Sequence, residues 1–474
     1  MKSDVFSLLY LVSAVLFIVG LKGLTRVRTA RRGNALAALA MLIAVATTLL
    51  ELGSIDYRWI VAGLAVGSTI GAIAAVRVQM TAMPEMVALF NGFGGGASAL
   101  VAASVLWLEL IESNTTATVA ATLGGSAAVT VFLSFLIGCV TFSGSVVAFL
   151  KLSGRLRGRP IMLPGRHYVN AVLVLGVAVA GWALAFFTTD SDATRLACLV
   201  VAAVSLIVGI LMVIPIGGAD MPVVISLLNS LSGLAASATG FVLGSNVLII
   251  SGALVGASGL ILTQIMCVAM NRSLGNVLFS GFGETAAGDD SEYQNVSSYS
   301  AEEAAMVLES AESVVIVPGY GLAVAQAQHA ARELADLLES HGAKVTYAIH
   351  PVAGRMPGHM NVLLADADVP YEKLIEMDAA NPEMRTTDAV IVVGANDVVN
   401  PAAETDPDSP IHGMPILRVF EAQTVLMIKR SLSPGFAGIK NELFERDNTM
   451  MVFGDGKKIL QAILAELKEL SAAA

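Results

Sequence analysis

Apolar residues are unevenly distributed along this chain: up to about residue 271 they form long, almost uninterrupted runs, and after about residue 300 short ones broken by charge. Nine runs are long enough to cross about 30 Å of hydrocarbon, near 5–21, 35–52, 59–76, 86–108, 128–150, 168–187, 195–214, 221–243 and 247–270. Each predicts a membrane-spanning helix. The fourth and eighth open at Pro84 and Pro222 and carry many small or polar residues, so their ends are less sharply set. The alternative for the first run is a signal peptide. No clean A-x-A site follows it, and it is read as a span.

The later pattern is different. Ser300 and Glu303 form a capping box that starts a helix, and Ser313–Val317 reads as a fully buried strand. Gly319, Tyr320, Gly321, Ala323, Val324 and Ala325 then open an amphipathic helix predicted to reach about His341, with a second strand from Lys344 to Ile349. Further strands are predicted at Asp388–Val393, Ile416–Phe420, Val425–Ile428 and Met450–Phe453, followed by a helix over Lys457–Leu470. The expected fold class is therefore a multi-pass α-helical membrane domain over 1–274 joined to an α/β doubly wound, Rossmann-like domain over 300–474. Residues 275–299, acidic and without apolar periodicity, read as a flexible tether.

Composition agrees with a bilayer. Hydrophobic residues make up 55% of the 474, charged residues 14%, and the mean hydropathy is +0.73. Three cysteines, Cys139, Cys198 and Cys267, lie in apolar context and exclude a disulfide scaffold. A net charge of -10 gives no sign of a nucleic-acid partner. No metal site is expected.

The cations orient the spans. Lys22, Arg26, Arg28, Arg31, Arg32, Arg77, Lys151, Arg155, Arg157, Arg159, Arg166 and Arg272 fall on one side, against Lys2, Arg58 and Arg195 on the other, beside Asp56, Glu109, Glu112, Asp190 and Asp192. By the positive-inside rule the C-terminal domain is cytoplasmic. Gly67/Gly71, Gly240/Gly244 and Gly252/Gly256 have the four-residue spacing of close helix contacts. Polar groups at membrane depth are Asn91, Asn229 and Ser230, with Asp220 near the cytoplasmic end of the eighth span. Each is costly unless paired or lining a wet path; for Asn229 an interhelical hydrogen bond and a path are both open. None of the six histidines falls inside a span, so no mid-bilayer group titrating near neutral pH is evident, and a proton-carrying residue would be Asp220, held protonated, or belong to another subunit.

In the C-terminal part the Gly319-x-Gly321 turn stands between strand and helix, where a dinucleotide pyrophosphate meets backbone N–H groups. Val324 replaces the third glycine of the usual fingerprint, so helix-to-strand packing must differ there. The second strand ends at His350 without the acid an NAD ribose requires, whereas Lys429, Arg430 and Ser431 offer two cations and a hydroxyl to a 2′-phosphate. The alternative is a solvated basic pair. Arg355, in the Gly- and Pro-rich loop 351–359, is placed to reach a pyrophosphate; Gly394, Ala395, Asn396, Asp397 and Asn400 offer amide and carboxylate groups to a nicotinamide. Either loop could equally be only a turn.

These segments resemble a known family. GYGLAVAQAQ (319–328), HPVAGRMPGHMNVLLA (350–365), GANDVVNPAA (394–403) and KRSLSPGFAG (429–438) are similar to the NADP(H)-binding domain of the proton-translocating NAD(P) transhydrogenases. PEMVALF (84–90), VTFSGSVVAF (140–149), GGADMPVV (217–224), LNSLSG (228–233) and ALVGASG (253–259) resemble the membrane domain of the family's beta subunit. The resemblance implies a Re/Si-specific enzyme of the bacterial inner membrane that couples hydride transfer to proton passage. NADP(H) would sit on this chain and NAD(H) on an alpha subunit of one or two chains, the alpha–beta unit forming a dimer.

By the same resemblance Lys429, Arg430 and Ser431 hold the 2′-phosphate, Arg355 lies by the pyrophosphate, and Asp397 lies near the nicotinamide and takes part in coupling. Val352, Ala353, Gly354, Gly435, Phe436, Ala437, Gly454 and Asp455 complete the cofactor contacts, and Asn229 and Asp220 match proton-path positions. Two departures stand out. Asn91 replaces a histidine found in many relatives, so a proton carrier belongs to the partner subunit or to a water chain past Asn91 and Asn229. Phe436 replaces a tyrosine of some relatives. A transporter or channel with an NADP(H)-sensing domain is the rival reading from composition and spacing.

Overall fold

The computed structural model describes all residues except 1, 25–26, 53–56, 80–81, 109–117, 157–159, 163–164, 188–190, 281–292, 357, 436 and 474. Arg26, Asp56, Glu109, Glu112, Arg157, Arg159, Asp190 and Phe436, and residues 281–292 of the expected tether, lie outside the described residues. The chain divides into two compact units, residues 1–264 with 275–282 and residues 265–274 with 283–474.

Nine helices among the described residues are long and apolar enough to cross a bilayer. They are α1 (Lys2–Leu24), α2 (Val27–Leu52), α3 (Tyr57–Arg77), α4 (Met83–Leu106), α5 (Gly125–Leu152), α6 (Arg166–Phe186), α7 (Ser191–Val213), α8 (Met221–Leu243) and α9 (Asn246–Ala269). The interior is built on α5 and α8, whose most apolar stretches are 67% and 61% buried. Close approach is made by glycine. A Cβ on Gly138 would lie 2.5 Å from the Gly95 carbonyl oxygen, and one on Gly233 2.4 Å from the Gly256 nitrogen. Hydroxyls then join helices where lipid offers no partner: Ser134 Oγ lies 2.6 Å from Thr239 Oγ1, and Ser230 Oγ donates to Gly256 O at 2.6 Å.

Glycine spacing did not identify every contact correctly. Gly252 and Gly256 do pack against α8, and Gly240 meets Ile249, but Gly244 ends α8 in the left-handed conformation at φ +64°. A Cβ on Gly67 or Gly71 would meet nothing within 4 Å among the described residues beyond its own helix, and α3 has no buried residue among them. The spacing records that a helix can be approached closely, not that its own chain does so.

The second unit is a six-stranded parallel sheet in the order β3-β2-β1-β4-β5-β6. The strands are β1 (Ser313–Pro318), β2 (Lys344–Ile349), β3 (Leu374–Glu376), β4 (Ala389–Val393), β5 (Thr424–Lys429) and β6 (Thr449–Phe453). The expected capping box is present: Ser300 Oγ accepts the Glu303 N–H and Glu303 returns the bond, starting α10 (Ala301–Glu309). The expected helix over 319–341 is two helices, α11 (Tyr320–Val324) and α12 (Gln328–Ser340). Gln326 at φ +49° breaks it, and the Ala327 N–H closes the end on Leu322 O at 3.0 Å, a Schellman-type bond.

After β2 come α13 (His359–Asp366) and, last, α14 (Gly456–Ala473), on which α10 and α12 pack. The expected strand at Ile416–Phe420 is absent. Ile416, Leu417 and Val419 are buried instead in a cluster with Met384, Met414, Leu443 and Phe444, where loops and short helical turns rather than long helices cover β4 and β5. The run is apolar because it is core, without ladder partners.

Replacing Gly138 by Val should lower the melting temperature of the detergent-solubilised chain by several degrees, since overpacking against backbone costs about 1–3 kcal/mol. Gly94→Ala, at a position with nothing within 4 Å, is the control and should leave it nearly unchanged.

Candidate functional site

The sheet reverses its winding between β1 and β4, which opens a crevice beyond their carboxyl ends. The Gly-x-Gly turn lies there. Gly319 N–H donates to Val393 O and Gly321 N–H to Gly394 O, each at 2.9 Å. A Cβ on Gly319 would sit 2.3 Å from the Ala395 nitrogen, and one on Gly394, at φ +64°, 2.3 Å from the Gly321 Cα. The glycines are therefore demanded by two turns pressed together, and both glycine amides are spent on protein carbonyls. The cation at this turn is Arg355, its Cζ 4.5 Å from the centroid of the Tyr320 ring. Val324 is 46% exposed where α11 ends, while Ala323 is buried, so a third glycine has no packing to serve.

Two histidines shape the loop after β2. His350, 1% exposed, lies with Nε2 2.7 Å from Pro415 O, while its Nδ1 accepts the Val352 N–H at 3.2 Å. With Nδ1 an acceptor, Nε2–H is the donor and the ring is neutral. Burial pushes its pKa down to about 4, against the raising effect of the carbonyl. His359 Nδ1 accepts the Arg355 N–H at 3.0 Å, and a Cβ on Gly354, at φ +105°, would strike that ring. Ala353 is buried beside them.

The loops after β4 and β5 close on each other. Asp397 is 2% exposed, and its Oδ2 accepts the Ala437 N–H at 3.1 Å; a Cβ on Gly435 would lie 2.2 Å from the same oxygen. Lys429 donates to Ser433 O at 3.0 Å and lies 4.5 Å over the Phe444 ring. Burial pushes its pKa down to about 8, and the Asp397 charge opposes that shift. Ser431 Oγ is 2.9 Å from Ser433 Oγ, and exposed Arg430 makes no hydrogen bond or ion pair with a described residue.

Gly454, at φ +156° after β6, donates its N–H to Lys429 O at 2.8 Å, and Asp455 accepts the Lys458 N–H. Asn400 is fully buried and its amide is taken by Lys440 O and the Ala402 N–H, so it holds loops together. Asn441, also fully buried, donates to Asn396 O at 3.1 Å. Residues from the ends of β1, β2, β4, β5 and β6 thus gather along one edge. His350, His359 and Asn441 were missed as parts of it; their signal was a polar residue inside or beside a Gly- and Pro-rich loop.

In the membrane-spanning unit Asn91, 9% exposed, donates to Ser145 Oγ at 3.2 Å. Asn229 is half-buried and makes no hydrogen bond with any described residue. Asp220 is fully buried at the end of a 3-10 turn, Gly218–Asp220, that leads into α8. Lys151, which the sequence suggests is a loop cation, is 4% exposed in α5 and donates to Ile214 O and Ile216 O at 2.5 and 2.7 Å, fastening the turn before Asp220.

His350 yields a stability prediction. Its folded pKa, about 4, lies below its ordinary 6.5, so its stabilising contribution is complete above about 6.5 and is lost as pH falls towards 4. Acidification from pH 7 to 4 should cost on the order of 3 kcal/mol through this residue. Comparing thermal unfolding of the wild type with His350→Gln across that range should show a flatter pH dependence in the variant.

A profile for the NAD(P) transhydrogenase beta subunit matches residues 6–466. The NAD(P) transhydrogenase subunit beta of Rhodospirillum rubrum is 50% identical over 459 residues, 96% of this chain and 97% of its own length. A second Rhodospirillum rubrum sequence of the same description matches to the same extent. With both matches running through the membrane-spanning helices and the nucleotide-type fold alike, the chain belongs to the NAD(P) transhydrogenase beta-subunit family.

Proposed function

We propose that this chain binds NADP(H) in its α/β unit and exchanges hydride with NAD(H) held by an alpha subunit, while protons cross the membrane-spanning unit. The observation that carries the reading is the edge where Lys429, Arg430 and Ser431 stand beside buried Asp397 at the winding reversal. Two cations and a hydroxyl suit a phosphomonoester, and the acid that an NAD ribose would require at the end of β2 is replaced by a neutral, buried histidine. Arg355 on the Tyr320 ring supplies the cation for a pyrophosphate.

The bound nicotinamide supplies the hydride chemistry; the residues hold it in place. Direct transfer needs the two rings at about 3–3.5 Å, and the described residues form one nucleotide-type sheet, so a partner chain completes the reaction. The partner is an NAD(H)-binding alpha subunit of one or two chains, in a dimer of alpha–beta units. Residues 1–274 then lie in a bacterial inner membrane and 300–474 are cytoplasmic, and of the expected tether 275–299 the residues from 294 on are bonded to the cytoplasmic unit. Asn229, without a hydrogen bond to a described residue, lines a wet path with Asn91 and Asp220, and the titrating carrier belongs to the partner or to water. Asp397 couples the two processes: holding the 433–437 loop through Ala437, it sets whether NADP(H) is enclosed or free to exchange.

The first test is calorimetry of the intact chain in detergent with NADP+, NADPH, NAD+ and NADH. Binding restricted to the phosphorylated pair is expected; equal binding of NAD(H), or none, would sink the assignment. Lys429→Ala with Arg430→Ala should weaken NADP+ by about 100-fold or more, as charged hydrogen bonds contribute about 1.5–3 kcal/mol each. The pH dependence has a fixed sign. Free Lys429 loses its proton near 8, below its ordinary 10.5, and a phosphate favours the protonated form. NADP+ affinity is therefore level between about pH 7, where the phosphate is dianionic, and pH 8, and falls by up to about tenfold per pH unit above 8, a slope that Lys429→Gln removes. Asp397→Asn in the reconstituted alpha–beta complex should separate hydride transfer from proton movement; unchanged rates of both would refute the coupling role.

A further inference from the structure

Residues just before α10 belong to the nucleotide unit more closely than their composition suggests. The Tyr299 N–H donates to Met451 O at 2.8 Å, the Met451 N–H to Ser297 O at 3.0 Å, and Ser298 pairs with Met451 in parallel, extending the sheet beside β6. The Gln294 N–H is held by Glu445 Oε1 at 2.6 Å. At the head of this strip, next in sequence to the segment that links the two units, is Tyr293.

Tyr293 touches the nucleotide site by two routes. Its ring stacks on Phe444, with centroids 5.6 Å apart and planes 30° from parallel, and Phe444 is the ring over which Lys429 Nζ lies at 4.5 Å. Its phenol oxygen accepts the Asn441 N–H at 3.1 Å. Asn441 is fully buried and donates to Asn396 O, one residue before Asp397. Lys440, 5.0 Å over the Tyr293 ring, is paired with Glu445 at 2.8 Å, the residue that also holds Gln294. Stacking alone would be served by phenylalanine. The hydroxyl is what reaches the chain of bonds leading to Asp397.

We propose that Tyr293 is a positioning residue for the nucleotide site, fixing the 429–441 loop through Asn441 and Phe444 so that the grip on NADP(H) depends on how the strip 293–299 lies against the sheet. This rests on the NADP(H) reading of the site. Tyr293→Phe keeps both ring contacts but leaves a buried N–H without its acceptor. The loop then relaxes away from Asn396 and Asp397. Tyr293→Ala removes the stack as well and frees the ring beneath Lys429.

The experiment uses the full-length chain in detergent, with NADPH release followed by its fluorescence after dilution into NADP+, and nucleotide-free melting temperature measured in parallel. In the nucleotide-free chain the relaxed loop lets the Asn441 N–H find water, so the loss falls on the bound state: Tyr293→Phe should speed NADPH release by about tenfold, the size of one lost buried acceptor, with the nucleotide-free melting temperature nearly unchanged. Tyr293→Ala should in addition move the pH above which NADP+ affinity falls, whereas Tyr293→Phe should leave it in place. Wild-type release from Tyr293→Phe, or faster release accompanied by a proportionate fall in melting temperature, overturns the positioning role while leaving the site reading intact. A wild type that does not bind NADPH overturns both.

Discussion

The nucleotide unit depends on one steric constraint, the contact between the turns that follow β1 and β4. Gly319 and Gly394 each leave so little room that a single added carbon would lie 2.3 Å from the opposite turn, and hydrogen bonds from Gly319 and Gly321 lock the pair. This closure fixes where β4 delivers Asn396 and Asp397. Asp397 in turn determines what the loop after β5 can be. Only glycine fits at 435 beside its carboxylate, and the Ala437 N–H completes the contact. Position therefore passes from a backbone contact to a buried carboxylate and from there to the loop that carries the cations.

The same logic, without water, runs through the membrane-spanning helices. Backbones meet at Gly95/Gly138 and at Gly233/Gly256 because lipid gives no hydrophobic reward for association, and dispersion at short range must serve instead. Ser230 finds its acceptor across the second of those contacts, Ser134 Oγ meets Thr239 Oγ1 between α5 and α8, and Thr239 donates to Ala235 O in its own helix. Against this background a half-buried amide without a bond to a described residue is unusual. Asn229, like Asn170 of α6, stands out by that contrast rather than by its residue type.

Sequence pattern conveyed the elements whose apolarity comes from one cause. The nine spans, the capping box at Ser300 and strands β1, β2, β4, β5 and β6 follow from hydrophobic length, side-chain chemistry and burial on both faces. It misled where two causes give the same pattern. Ile416–Phe420 is apolar because it is core beneath loops, and β3, three residues long, carries too little signal to stand out. Lys151 counts as an interfacial cation until its neighbours show that it caps carbonyls before Asp220. The site was legible as residue types at strand ends, but not as partnerships. Whether Asn400 faces a ligand or braces a loop depends on Lys440 and Ala402, and no spacing rule joins positions forty residues apart.

Burial of the charged groups explains why the site responds to its surroundings. Lys429 is desolvated far enough for its pKa to fall to about 8, although Asp397 pulls the other way, so the site holds a cation at some cost. A dianionic phosphate relieves that cost and a neutral ribose does not. Under the proposed NADP(H) reading, discrimination between phosphorylated and unphosphorylated nucleotides would come partly from the cost of the desolvated cation in the free site, as well as from contacts in the bound one. Because Lys429 rests on Phe444, and Phe444 on Tyr293, the degree of that desolvation is set by packing reaching back to the linking segment. A small shift there changes the electrostatic balance around Lys429 through packing alone.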